Sequence, residues 1–361
     1  MPISAVDAIG PAFQHTKQQL LQPFRVAQWA KLALVGFLAG ELSSGGCNFS
    51  NFQLPGHTNG GQRFAELPSP NINPMLYAGL IGVLIVLAVV FWILFLYVSS
   101  VMRFILFDSV IAKHCEIQRG WVRRHGAGMR YFVWQLLFLL AMVVGLTVVI
   151  GIPAAFAIAA GWLKDPRQHL IPFILGGMLL FFVVISFVLL ALIAHVLTKD
   201  FVVPQMAMEN IDAIEAWRRL LPMLRSEKAG YAGYIGMKIV MALGAAVVIG
   251  IITFIAILIL LIPVGGVGVI AVMAGKTAGL SWNLYTITLA VVVGCVLLAV
   301  LLYVVSLISV PTIVFFPAYS IYFFASRYPA LEALLHPPAS GALAVPPLPP
   351  PSLPPEPEPI R

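Results

Sequence analysis

Few residues in this sequence have both the type and the neighbourhood that chemistry requires. His195 stands about one helical turn ahead of the charged pair Lys199-Asp200, at the end of an apolar run. A histidine there can ligate a metal or relay a proton, but each task needs a second His, Cys or carboxylate at helical spacing, and none stands beside it. An interfacial position is the simpler reading. Lys31, Lys238 and Asn283 also lie near the ends of apolar runs. No Asp or Glu falls deep in any strong apolar block, so a carboxylate-driven pump or symporter lacks its usual carrier groups. Asp7, Asp108, Asp200, Glu209, Asp212 and Glu215 occupy connecting segments beside basic residues, where ion pairing is their expected role. The run Gly265-Gly266-Val267-Gly268 is not followed by Lys-Ser/Thr and is no phosphate loop. Nucleophile elbow, zincin motif and paired catalytic carboxylates are all missing. The expectation is a protein that is not an enzyme and carries no cofactor or metal.

A second group of residues has the chemistry of a membrane surface. Trp121, Arg123, Arg124 and Arg130 cluster in one connecting segment, and Trp217, Arg218, Arg219 and Arg225 in another. From Ile211 the apolar residues Ile214, Trp217, Leu220, Leu221 and Leu224 recur at three- and four-residue spacing, which describes one face of a helix. Asn210 is a candidate cap, and Pro222 a point where the helix bends or stops. Such a helix is expected in the interface, apolar side chains down and cations among anionic head groups, each worth about 1 kcal/mol. It serves as a structural anchor, or else as a sensor of head groups or a docking face for a partner; the anchor is the simpler role. The basic residues of the earlier segment also arise from topology alone.

These segments must be positioned by something, and the composition says what. The chain has 361 residues, 60% of them hydrophobic and 10% charged. Soluble domains are about 25% charged. Here the apolar residues come in blocks long enough to cross a ~30 Å hydrocarbon layer as helices. They do not alternate as barrel strands would, so the expected class is an all-α polytopic transmembrane bundle. Five blocks are strong: 75–102, 131–152, 171–197, 235–262 and 284–310. A weaker one, 26–42, contains Lys31 and crosses only if that lysine snorkels to the interface.

Charge decides for six spans over five. With six, Lys17, Arg25, Arg103, Lys113, Arg119, Arg123, Arg124, Arg130, Lys199, Arg218, Arg219, Arg225, Lys228 and Arg327 share one side. The other side receives Arg63, Lys164, Arg167 and Lys276. The positive-inside rule then places both termini in the cytoplasm, as for a multi-pass protein of a prokaryotic inner membrane. The formal charge of +7 is explained by this asymmetry, and nucleic acid is not an expected partner. Cys47, Cys115 and Cys295 form no disulfide framework or zinc spacing, and the N-terminus lacks the order of a cleaved signal. Residues 1–335 thus form a membrane domain, and 336–361 a proline-rich disordered tail able to dock on an aromatic groove. The segment between the first two spans is rich in Gly, Asn, Ser and Pro and is expected to be a flexible connection, its Asn48-Phe49-Ser50 only formally a glycosylation site.

Short matches recur along the chain. Val6-Asp7-Ala8-Ile9 returns as Ile211-Asp212-Ala213-Ile214, and Trp121-Val122-Arg123-Arg124 as Trp217-Arg218-Arg219-Leu220. Phe104-Ile105-Leu106-Phe107, Phe201-Val202-Val203-Pro204 and Val314-Phe315-Phe316-Pro317 each follow an even-numbered span. The simplest account is three copies of one unit, an amphipathic cytoplasmic helix followed by a hairpin of two spans.

Ser4-Ala5-Val6-Asp7-Ala8-Ile9, Pro23-Phe24-Arg25, Phe201-Val202-Val203-Pro204, Glu215-Ala216-Trp217 and the stretch Gly230 to Lys238 resemble a family of uncharacterised bacterial and archaeal membrane proteins. More distantly the chain is similar to the membrane domain attached to some glycerophosphoryl diester phosphodiesterases, over roughly residues 3 to 330. The resemblance implies a six-span prokaryotic protein; the phosphodiesterase catalytic domain is absent, so no active-site residues carry over. Two functions remain open: a non-enzymatic scaffold, assembly factor or subunit contacting membrane lipids or a membrane-protein partner, and a permease for a small or lipidic solute.

Overall fold

A computed structural model describes residues 3–41, 74–162, 170–277 and 284–335. The Gly- and Asn-rich segment with Cys47, and the proline-rich tail 336–361, lie outside the described residues. Those described are helical, with no strand among them. In order they form α1 (Ile9–Leu21), α2 (Val26–Leu38), α3 (Pro74–Ile111), α4 (Ile117–Ala159) and α5 (Leu170–Leu197), then a π-helical turn (Thr198–Val202). There follow α6 (Val203–Glu209), α7 (Ala213–Ser226), α8 (Lys228–Thr277), α9 (Leu284–Ile308), α10 (Val310–Ala325) and α11 (Pro329–Leu335).

Among the described residues, five helices are long and apolar enough to cross a membrane: those of α3, α4, α5, α8 and α9. The helix from the weak first block is different. α2 has 13 residues, about 20 Å at 1.5 Å per residue, less than a hydrocarbon layer. The long helices also overrun the segments read as spans. α4 starts at Ile117, so Trp121 and the arginines after it lie on the same continuous rod as the apolar block. It runs through Pro153, and α8 likewise runs through Pro263 to Thr277. Proline in an apolar helix is tolerated where neighbours satisfy the freed carbonyl.

The molecule has two zones with opposite burial. One is a packed head made of α1, α2, α6, α7, α10, α11, the C-terminal parts of α3 and α9, and the N-terminal parts of α4 and α8. Phe104, Phe201, Tyr231, Tyr234, Tyr319, Phe323 and Phe324 are fully buried there. Tyr234 stacks on Tyr319 with ring centres 5.1 Å apart and meets Phe323 at 4.6 Å. All three Phe-containing tetrapeptides turn into this core: Phe104, Phe201, Val202 and Val314 are inaccessible. Aromatic residues of this kind supply much apolar burial and a defined geometry.

The other zone consists of the far halves of the long helices. Every residue from 81 to 95 of α3 is exposed, over about 22 Å of helix, and so is every residue from 288 to 300 of α9. Water would penalise this surface at about 25 cal/mol per Å², whereas hydrocarbon does not.

Small residues set the closest approaches in the head. A Cβ on Gly128 of α4 would lie 2.5 Å from a methyl of Val101 and 3.0 Å from its Cα in α3. A Cβ on Gly36 of α2 would lie 2.5 Å from Ile313 of α10. α1 is held to the head by polar side chains: the His15 ring contacts the Val110 carbonyl at 2.7 Å and the Tyr322 hydroxyl at 3.2 Å, and Gln19 donates to the Ser109 carbonyl at 2.9 Å. Burial outweighs the Val110 contact and pushes the imidazole pKa down.

Candidate functional site

The head contains charge at its centre. The π-helical turn after α5 carries Lys199 and Asp200, consecutive residues that reach different partners. A π turn inserts an extra residue into the helical register and redirects the side chains on it. Lys199 forms an ion pair with Glu41, just past α2, and Asp200 forms one with Lys238 of α8. Asp200 also accepts a hydrogen bond from the Tyr234 hydroxyl at 3.0 Å. From α3, Arg103 donates to the Tyr131 hydroxyl at 2.8 Å and to the Ala39 carbonyl at 2.9 Å. Glu41 and Asp200 are 2% and 3% exposed and Arg103 is 8%, so water contributes little to their stabilisation. The end of α2, α3, α4, the π-helical turn and α8 are tied together by these contacts. Breaking one buried pair leaves an uncompensated charge, costing about 3–5 kcal/mol.

Two of the ties correspond. Arg103 precedes Phe104 and bonds Tyr131; Asp200 precedes Phe201 and bonds Tyr234. The residue before Val314 is Ile313, and it packs against Gly36. Between these elements lies a cavity of about 30 Å³ lined by Glu41, Arg103, Lys199, Asp200 and Ser320, with apolar walls that include Leu106, Phe107, Val203 and Ile321. A space of that size admits water-sized groups. No group of three His, Cys, Asp or Glu side chains suited to a metal is present among the described residues.

The residues read from the sequence as interfacial candidates occupy the rim of the head. Arg124 is partly buried, binds both oxygens of Asp108 at 2.7 Å and donates to the Ala207 carbonyl. It braces α4 against α3 and α6. Arg130 reaches the Asn210 carbonyl and Asp212. Trp121 meets Tyr97 edge-on at 6.0 Å, and the Trp217 indole donates to Thr198 at 3.2 Å. Arg218 pairs with Glu215, and Arg219 with Glu209 and Glu215. Arg123 and Arg225 are exposed, and neither forms an ion pair among the described residues.

α7 differs from the helix expected here in how much of its apolar face is covered, in its cap and at Pro222. Ala213, Ala216 and Leu220 are buried, while Trp217, Met223 and Leu224 pack against the head, so much of its apolar face is covered by protein. Ile214 and Leu221 remain outside, 60% and 44% exposed. Asn210 ends α6 in a left-handed conformation, φ 56°, and Asp212 stands at the start of α7. Pro222 does not stop the helix, which continues to Ser226.

The match to known families covers almost all of this architecture. Residues 3–334 match a family described as Family of unknown function (DUF7544). The chain belongs to that family. No curated protein and no solved structure matches it. The matched region takes in α1 through α10 and most of α11, with the head and the long apolar helices.

The sequence reading missed the central cluster. Glu41 lay inside the weak apolar block, and an acid ending such a run is a signal by itself, because intramembrane acids are rare and partnered. In the sequence Arg103 and Lys199 carry no signal beyond their place among the charges of one side. His195 instead lies beside the Phe138 ring, centres 6.4 Å apart.

Proposed function

We propose that this chain is a multi-pass integral membrane protein with a non-enzymatic role, a subunit or scaffold that presents its apolar hairpins to other membrane components. The observation that carries the reading is the contrast in burial: residues 81–95 and 288–300 are exposed all round, whereas the head is filled. A permease for a polar solute needs spans closed around a polar pathway. Here the polar groups gather in the head about a space of only about 30 Å³. Bare apolar helices suit lipid acyl chains and the transmembrane helices of partners.

Six passes are supported by the chain's path. α1 packs with α10, and Gln28 at the start of α2 bonds the Lys113 carbonyl past the end of α3. α3 itself begins at Pro74, about 55 Å away along its own axis. With α1, the start of α2 and α10 all in the head, an even number of passes fits five long helices better than an odd one. The matching places of Arg103–Tyr131 and Asp200–Tyr234, with Ile313 against Gly36 at the third equivalent position, support three related units. The head belongs at the cytoplasmic face of an inner membrane, where Arg123, Arg225 and the ion-paired arginines of α7 meet anionic lipid at about 1 kcal/mol per cation.

A second reading, a permease for lipidic solutes, draws on an apolar groove of about 660 Å³ between α4 and α5, lined by Val149, Pro153, Phe156, Trp162, Phe173 and Gly177 among others. Photoreactive side chains at Leu87 and Val292, activated in intact cells, separate the two. The scaffold reading expects protein adducts of discrete mass at both positions. Lipid adducts alone would overturn a role as a subunit held to a protein partner through these helices.

A further inference from the structure

Where the head gives way to the bare helices, α4 and the start of α7 frame a pocket of about 290 Å³. Met129, Val133 and Leu137 of α4 and Ile214 of α7 form apolar walls, and all four are exposed. Two charged groups stand among them. Arg130 and Asp212 approach to 3.4 Å, with side chains one-third and two-thirds exposed. The pair is loose. Arg130 makes its closer bonds to Asn210, and only one Asp212 oxygen has a partner among the described residues. Asp212 precedes α7 without capping it, so the helix makes no use of the second oxygen. Arg130, Trp134 and Leu137 follow at four- and three-residue spacing, which places them on one face of α4. Trp134 is half-buried, and its indole N–H has no hydrogen-bond partner among the described residues. Leu140 and Val144 continue that face into the apolar zone, both exposed. Along α4 the order is therefore charge, N–H donor, hydrocarbon surface. A phospholipid at the edge of a bilayer presents the same order: head group, ester carbonyl, acyl chain.

We propose that this pocket holds the head group of one zwitterionic phospholipid with a primary ammonium, an ethanolamine lipid. Its phosphate takes Arg130, its ammonium the second Asp212 oxygen, and an ester carbonyl the Trp134 indole. An acyl chain then runs along Leu137, Leu140 and Val144. The inference rests on the membrane placement argued above, with Arg130 at the boundary of the hydrocarbon layer. Opposite charges side by side select the class. Arg130 keeps donors for the phosphate, because its five N–H groups serve three contacts within the protein. An anionic lipid without an ammonium would bring its phosphate beside Asp212 uncompensated. A choline head group carries its charge on methyl groups and has no N–H to donate to the carboxylate. Because α4 and α7 both line the pocket, the bound lipid also bridges them.

The test uses the full-length protein in detergent micelles. Phosphatidylethanolamine, phosphatidylcholine and phosphatidylglycerol with identical acyl chains are titrated in, and retained lipids are counted by native mass spectrometry. A single ethanolamine lipid should be retained at roughly fivefold lower concentration than either of the others, the worth of an exposed ion pair. Asp212→Asn keeps the shape of the side chain and removes its charge, and should equalise ethanolamine and choline lipids. Trp134→Phe removes the N–H and should weaken retention of all three while preserving their order. The comparison of lipids on the wild-type protein needs no variant to fold. Equal retention of the three lipids, or a preference for ethanolamine that survives in Asp212→Asn, would overturn this site and leave the membrane placement standing. A chain that stays dispersed without detergent and retains no lipid would remove both.

Discussion

Asp200→Ala should lower the stability of the purified protein by about 3–5 kcal/mol, on the order of 8 °C in melting temperature, the largest loss expected from any single substitution in the head. Asp200 is 3% exposed and is the partner of Lys238, whose side chain is 11% exposed. Removing the carboxylate strands that ammonium beside Lys199 and Arg103, three cations with Glu41 as the one carboxylate left among the described residues of the cluster. The Tyr234 hydroxyl also loses its acceptor. The mechanism is tested by pairing the change with Lys238→Met. If uncompensated charge is the cause, the double variant recovers much of what the single one lost, because a buried ion pair can be exchanged for apolar groups at little cost. Thermal denaturation in micelles reads both effects. A single variant that melts with the wild type, or a double variant whose loss is the sum of the two singles, would show that the cluster does not hold the head together.

Arg327→Ala should cost about 2–4 kcal/mol and release the N-terminus, by a different route. The Arg327 side chain is 7% exposed and binds both oxygens of Glu227, at 2.6 and 2.8 Å. It donates to the carbonyls of Ile3 and Phe323 and lies over the Phe323 ring, 3.9 Å from its centre. One guanidinium thereby joins the chain start, the α7–α8 junction and the end of α10. Limited proteolysis should cut near residues 3–8 faster in the variant. Arg327→Lys should be nearly as damaging, since an ammonium reproduces neither the two-point pairing nor the stacking.

The pair also sets an acid dependence. Hydrogen bonds from Arg327 hold the Glu227 carboxyl below the usual carboxylate range. Its contribution is therefore fully present above the unfolded pKa, about 4.3, and is lost as pH falls through the lower folded value. Glu227 is one-third exposed, so the effect is modest and weakens with salt. Glu227→Gln should reduce the drop in melting temperature between pH 5 and pH 3. An unchanged drop would remove Glu227 from the account.

What the sequence made legible follows from the physics of each signal. Long apolar runs read as helices directly, because hydrocarbon imposes one length and one hydrogen-bonding solution. Ion pairing of Asp108, Asp200 and Asp212 was legible as a type of interaction, but their partners Arg124, Lys238 and Arg130 were not; the last of these pairs is 82 residues apart in sequence. The head was the main element missed. Its core combines the ends of apolar helices with short amphipathic ones, and hydropathy does not distinguish an apolar face that meets lipid from one that meets protein. Trp217 illustrates the ambiguity: three- and four-residue spacing put it on the apolar face of α7, and packing on Thr198 decided what that face touches. Lys199 and Asp200 were hidden by the π turn, since regular helical spacing gives no reason for adjacent residues to serve α2 and α8 separately.

The central claim is that the long helices cross a bilayer and the head stays on one side of it. In a cysteine-free background, Arg123→Cys on the head and Ala160→Cys at the far end of α4 should react differently with a membrane-impermeant maleimide applied to intact cells. The account predicts prompt labelling at position 160 and none at 123 until the cells are permeabilised. Equal labelling at both positions before permeabilisation would contradict it.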